Sequence, residues 1–357
     1  MTRLMIGSSD KTNLLLHFAA QDFERGLLLI DPTGSVAEAA INAIPKRLIQ
    51  NVFYLDPADI ERPFGWNILG NIPPDQRHTH TENICADFDA LFPEGETTLA
   101  RANANLLLAN SLRVLLDTPN TTLLSLLKLL SDQSYRSECL NNCTDPVVLA
   151  NWDTIRGWER AQYQAALATL QSKVGKLLMS PTLRNIFGQQ FSTFSLSAPK
   201  IVIAKLDRAK LGDLTTYLLG SLLIARSVNH TYVHQLGFFS SDHLAAHITR
   251  GNFTVTVDFL DQLTPKLRQT VLQFDQKYVF KTNRDDAQEL AFYVGSENPS
   301  QLVDLADDEY KELGESPQVP PKPAYRPQLR AIRKRSRRSH TRPRAMVEEH
   351  IRKALGG

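Results

Sequence analysis

The sequence predicts an α/β fold: a mostly parallel sheet, an all-helical insertion within it, and a disordered basic tail. Three observations predict this. Short apolar strands alternate with helices over the first 70 residues and again after Pro199. Between Pro73 and Pro199, leucines recur at helical spacing and strand signals nearly vanish. From Lys322 to Lys353, twelve Lys or Arg stand against two acids, although the whole chain carries a net charge of only +2. The body is therefore acidic and the tail strongly basic.

Taken in order, a short apolar start leads into Met5-Ile6-Gly7-Ser8-Ser9-Asp10-Lys11-Thr12, and a helix begins at Leu14. The strand 27–30 ends in Asp31-Pro32. A helix over 35–44, capped by Ser35, stops near Pro45. The strand 51–55 ends in Asp56-Pro57. Two carboxylates at strand ends are either Asx-type turns or ligand groups on the binding edge of a parallel sheet. The sheet resumes at 200–204, with a helix over 214–227 and strand candidates at 236–239, 253–257 and 277–280. After Gly295 the apolar period fades into a Pro-rich linker (Pro317, Pro320, Pro321, Pro323, Pro327), and 345–355 is a short amphipathic stretch. The expected division is 1–72 and 199–295 for the sheet domain, 73–198 for the insertion, and 296–357 for linker and tail.

The segment around Gly7 stands where a phosphate-binding loop would. The GxxxxGK[ST] pattern places five residues between its first glycine and its lysine, and its backbone N–H groups encircle phosphate. Here only Ser8, Ser9 and Asp10 separate Gly7 from Lys11, no second glycine exists, and a carboxylate adjoins the lysine. Gly7, Lys11 and Thr12 are the candidate remnants of a phosphate and magnesium site, with Asp31 on the same edge. The alternative is a helix N-terminus that binds nothing.

Composition narrows the class. With 357 residues and 42% hydrophobic content, the chain can bury a large core. It has no apolar run of 18 residues and no signal-peptide layout. Cys85, Cys139 and Cys143 are too few for a disulfide framework, which points to a reducing cytosol, with the inner face of the membrane as a peripheral location. Cys139 and Cys143 lack a second ligand pair, and His243 and His247 lack a fixed partner in His230 or His234, so no metal is expected. Trp152, Trp158 and Tyr163 either pack helices or stack bases.

Seven segments in order carry a family resemblance. They are Leu29-Ile30-Asp31-Pro32-Thr33-Gly34; Val52-Phe53-Tyr54-Leu55-Asp56-Pro57; Arg62-Pro63-Phe64-Gly65-Trp66-Asn67; Lys173-Val174-Gly175; Leu183-Arg184-Asn185-Ile186-Phe187-Gly188-Gln189; Leu218-Leu219-Gly220-Ser221; and Arg342-Pro343-Arg344-Ala345-Met346-Val347-Glu348. With them the chain resembles the TraG/TraD-type ATPases of type IV secretion and conjugation, in the HerA–FtsK superfamily. The resemblance implies a RecA-like P-loop NTPase core, ATP and magnesium as cofactors, assembly with itself or an active relative, and DNA as the transported polymer.

It also implies catalytic groups that this chain lacks. Where a strand should end in Asp-Glu, the sequence is aligned to Phe238-Phe239-Ser240-Ser241-Asp242-His243. Asp242 could hold magnesium through water, but His243 replaces the activating glutamate. Where a glutamine should sense the γ-phosphate, Phe259 stands. Arg184 is either an arginine finger or a structural pair. Three damaged elements predict a pseudo-ATPase, because phosphoryl transfer rests on positioning and charge. Three readings stand: a non-hydrolysing DNA-transfer or adaptor subunit, a weakly active DNA translocase, and a scaffold docking a relaxase or other secretion partner. Arg333, Lys334, Arg335, Arg337 and Arg338 are the nucleic-acid candidates, against an anionic membrane surface or a merely solvated tail.

Overall fold

The computed structural model describes residues 1–91, 98–197 and 199–355, so the expected boundary at residue 198 lies outside the described residues. The chain opens with β1 (Arg3–Ile6), α1 (Thr12–Asp22), β2 (Leu27–Asp31), α2 (Ser35–Ala43) and β3 (Val52–Leu55). Helices follow: α3 (Arg77–Leu91), α4 (Thr98–Asp117), α5 (Ser125–Ser131), α6 (Gln133–Asn142), α7 (Pro146–Arg156), α8 (Arg160–Met179) and α9 (Pro181–Phe187). Alternation then resumes with β4 (Ile201–Lys205), α10 (Arg208–Leu211), α11 (Asp213–Ala225), β5 (His230–Val233), α12 (Asp242–Arg250), β6 (Phe253–Val257), α13 (Pro265–Leu272) and β7 (Gln276–Phe280). The last elements are α14 (Arg284–Tyr293), α15 (Ser300–Val303), β8 (Tyr310–Lys311), α16 (Leu329–Ser339) and α17 (Arg344–Ala354).

Among the described residues, eight strands join one sheet in the order β3-β4-β2-β5-β6-β1-β7-β8, parallel except for the β7–β8 pair. Leu27 registers with Ile201 on one side and His230 on the other, and Met5 with Thr256. Every residue of β1, β2, β4 and β6 is buried, which explains why β2 and β4 read as near-continuous apolar runs, while β6 alternates Thr with apolar residues although both its faces are covered. Because the strands are parallel, the residues after β1, β2, β5 and β6 gather along one carboxyl edge.

Two compact units make up the chain. The first comprises Met1–Ala58 and Ser195–Ser339; the second comprises Asp59–Phe194 and His340–Gly357. In the first, α1 and α2 bury Leu15, Ala19, Phe23, Val36, Ala40 and Ile41 against Leu29, Ile203 and Tyr232 of the sheet. In the second, Trp66 meets Phe187 and Phe194 at ring distances of 5.9 and 5.6 Å. Gly65 is required beside them, since a Cβ there would fall 2.7 Å from the Phe191 carbonyl oxygen.

Two expectations need correction. The basic segment is not disordered: α16 and α17 are helices, and Ile332 of α16 joins the sheet-side core. Leu329, Ile332 and Ser336 recur on one face of α16, too sparse an apolar stripe to stand out among its cations. The segment 236–239 is a 3₁₀ turn, and the strand lies earlier, at His230–Val233. Its apolar residues serve packing: the Phe239 ring fills the space a side chain at Gly220 would need, 2.1 Å from that Cβ position.

Candidate functional site

β1 lies between β6 and β7, so the loop after it leaves the carboxyl edge flanked by strands on both sides. Gly7 turns the chain there with φ +136, and a Cβ would sit 2.7 Å from the Lys281 carbonyl oxygen. The loop's first amides are already spent: Gly7 N–H donates to Val257 O at 3.2 Å and Ser8 N–H to Lys281 O at 2.8 Å.

Lys11 is buried, with 3% of its surface exposed. Its Nζ donates to Gly7 O, to Ser9 O at 2.9 Å and to Asp258 Oδ1 at 2.9 Å. These acceptors use all three ammonium protons. Burial pulls its pKa below the ordinary lysine value, while Asp258 and Asp10 pull it back up. At the start of α1, Asp10 Oδ1 accepts from Thr12 N–H at 2.9 Å and Thr12 Oγ1 at 2.6 Å. The lysine is thus folded onto its own loop, and a side-chain carboxylate stands at the helix N-terminus where an anion would bind. An incoming phosphate would face Asp10 and Asp258 and would have to strip Lys11 of its partners.

Asp31 is fully buried at the end of β2. Its Oδ1 accepts from Thr33 N–H (2.8 Å) and Thr33 Oγ1 (2.7 Å), and its Oδ2 from Ala37 N–H (2.8 Å). This side chain, rather than Ser35, caps α2, and both its oxygens are occupied.

The residues that follow β5 are His234 and Gln235, neither an acid. His234 Nδ1 lies 3.0 Å from Thr256 Oγ1, and burial lowers its pKa despite the pull of Asp31. Gln235 adopts φ 51 and donates its N–H to Thr256 Oγ1 at 2.8 Å. Asp242 instead opens α12, beyond the 236–239 turn, so the alignment of Asp242-His243 with a strand end is corrected to His234-Gln235. His243 is half-buried, its ring 4.8 Å from that of His247, and burial with His247 and Lys266 holds its pKa at about 4. Phe259 follows Asp258 after β6 and offers only backbone groups: its N–H donates to Gln262 Oε1 at 3.4 Å and its O accepts from Gln262 N–H at 3.2 Å.

Lys11, Asp31 and Asp258 therefore share the sheet edge, and His234 titrates in the field of all three. Arg184 belongs to the second unit, where its Nη1 donates to Leu178 O at 3.4 Å. The sequence singled out His234 only as a possible metal partner and passed over Gln235, because the apolar 236–239 run competes with the shorter strand before it.

Of the basic candidates, Arg335 is structural, donating to Ile49 O (3.1 Å) and Gln50 O (2.9 Å). Arg333, Lys334, Arg337 and Arg338 are exposed on the outer face of α16, with Asp56 3.8 Å from Arg333. Arg330 joins them one turn earlier.

No family model matches the chain, and no curated protein matches its sequence. Solved structures do match. The bacterial conjugative coupling protein TrwB in an unbound form is 13% identical with a TM-score of 0.56, covering 91% of this chain and 87% of that one. TrwB with a non-hydrolysable ATP analogue is 12% identical with a TM-score of 0.58, covering 91% and 88%. VirB4 of Thermoanaerobacter pseudethanolicus is 12% identical with a TM-score of 0.55, covering 90% and 88%. TrwB has also been solved with ADP and Mg2+. The chain shares the α/β fold of these solved structures along nearly its whole length. Among the described residues, no helix is long and apolar enough to cross a membrane.

Proposed function

We propose that this chain is a coupling-protein-like subunit of a conjugative DNA-transfer apparatus that neither hydrolyses ATP nor holds it firmly, and that it contacts DNA through the outer face of α16. One observation carries the first part: Lys11 is consumed by Gly7, Ser9 and Asp258 while Asp10 occupies the start of α1. Lys11 and Thr12 would be the groups to meet phosphate and magnesium, and each is already bound to a carboxylate of the chain itself. ATP, if it bound, would lack an acid after β5 to help hold the metal or activate water. Hydrolysis needed by the apparatus would then come from another subunit, an active relative of this fold. Docking of a relaxase is left to the same reading, as a property of the assembled apparatus.

The DNA contact rests on four cations spaced along one helical face. If each meets one phosphate, affinity for duplex DNA falls about 150-fold between about 50 and 200 mM salt. The decisive test is titration with ATP and magnesium, with and without single-stranded DNA. No micromolar binding is expected, whereas micromolar affinity abolished by Lys11→Ala would make the weakly active translocase the better account. For DNA, replacing Arg333, Lys334, Arg337 and Arg338 with Glu should remove most duplex affinity and flatten its salt dependence. Unchanged affinity would remove α16 from the interface.

A further inference from the structure

The second unit holds a surface cavity of about 300 Å³ between α6, α7 and α8, lined by Arg136, Trp152, Ile155, Arg156, Trp158, Arg160 and Tyr163. We infer that this cavity binds single-stranded nucleic acid, taking one unpaired base between its aromatic walls with the adjoining phosphate at its arginine rim. This is a site apart from α16 and goes beyond the reading above.

The floor is structural. Trp152 is 2% exposed and its indole N–H donates to Asn110 O at 3.4 Å. Arg136 is fixed in place, donating to Leu129 O (3.1 Å), Leu130 O (3.3 Å) and Tyr163 Oη (3.4 Å). Helix packing accounts for both. It does not account for the rim, where Trp158 and Tyr163 stay half-buried and Arg156 and Arg160 are exposed.

Among the described residues, no carboxylate lines the cavity. Arg156 pairs with Asp153 at 3.1 Å, but both are well exposed, so the pair is weak and readily exchanged. Arg160 forms no ion pair among the described residues, and its neighbour Glu159 is exposed at the start of α8. Three guanidinium groups around one apolar hollow repel each other until an anion arrives, and aromatic faces beside them reward a flat ring. A nucleotide carries both features. Its base is available only when unpaired, since a duplex keeps its bases stacked inside.

The test uses the whole chain with Arg333, Lys334, Arg337 and Arg338 replaced by Gln, so that these four positions add neither attraction nor repulsion, and a short oligothymidylate as probe. Fluorescence anisotropy should show salt-sensitive binding accompanied by tryptophan quenching. Trp158→Ala should weaken it about fivefold to 150-fold, the range for loss of one stacked base. Trp158→Phe should restore most of the affinity, separating stacking from folding. Arg160→Glu should weaken binding and reduce the salt slope by about 0.7. Binding unaffected by Trp158→Ala and Arg160→Glu would overturn the inference. So would a duplex of equal length binding as well, or an acidic peptide competing as well as the oligonucleotide. Because α16 is neutralised throughout, failure here is distinct from failure of the α16 contact, which is read on duplex DNA with the cavity intact.

Discussion

The closed loop around Lys11 and the junction around Gly65 both bury polar groups, yet they do so in opposite ways. Lys11 bonds to carbonyls two and four residues away and to Asp258 after β6, so the first network closes on one side chain and consumes groups a ligand would use. The junction ties distant segments of the second unit. Gln189 Nε2 donates to Phe64 O, Asn67 Nδ2 to Thr121 O and Gln190 O, Thr193 Oγ1 to His340 O, and Arg342 N–H to Pro63 O. The resembling segments at 62–67, 183–189 and 342–348 meet in this junction. The junction's polar side chains therefore hold backbone to backbone, whereas Lys11 and Asp10 turn back on their own loop and Lys11 on Asp258.

The comparison breaks hardest at Gly65. Gly65→Val places a branched side chain against the Phe191 carbonyl and Gln189, and should destabilise the second unit by about 3 kcal/mol. Faster hydrogen exchange in α8 and α9 would report it, and unchanged exchange would mean the junction is loosely packed. Asp31→Ala comes next. It leaves the start of α2 uncapped and Thr33 without its acceptor, at about 2 kcal/mol, with Asp31→Asn recovering part. Full stability together with a changed nucleotide titration would instead place Asp31 in a ligand site.

The smallest effect sharpens the account of His243. Its folded pKa near 4 lies below the ordinary 6.5, so the unfolded chain takes up its proton first as pH falls. Stability is full above pH 6.5 and declines toward pH 4, by about 1 kcal/mol at pH 5 after allowing for partial exposure. Urea melts at pH 7 and pH 5 should show this decline, and His243→Gln should remove it. An unaltered decline in that variant would assign it to His234, His230 or another buried group.

The parallel sheet was legible because its strands are buried on both faces and end in turn residues such as Asp31-Pro32. The short loop at Gly7 was legible by counting. What counting could not supply was the partner of Lys11, since Asp258 lies 247 positions away and meets it only through the β1–β6 pairing. The strand before His234 was hidden by the stronger apolar run after it. The order of α16 was hidden because Ile332 needs the sheet beneath it, and a helix so rich in like charge has little intrinsic reason to form.

That helix has a consequence for solubility. β3 is an outermost strand, and its Tyr54 N–H donates to Ser336 Oγ at 3.2 Å. α16 is thus a cover for a sheet edge, contributing one hydroxyl to the strand and one isoleucine to the core. Lifting it away, by proteolysis in the Pro-rich stretch before it or by truncation after Gly314, would bare a flat apolar edge with backbone donors ready to recruit a strand from another molecule. A chain shortened in that way would lose its cations and become self-associating at once, so the charge of α16 is best removed residue by residue with Ile332 and Ser336 left in place.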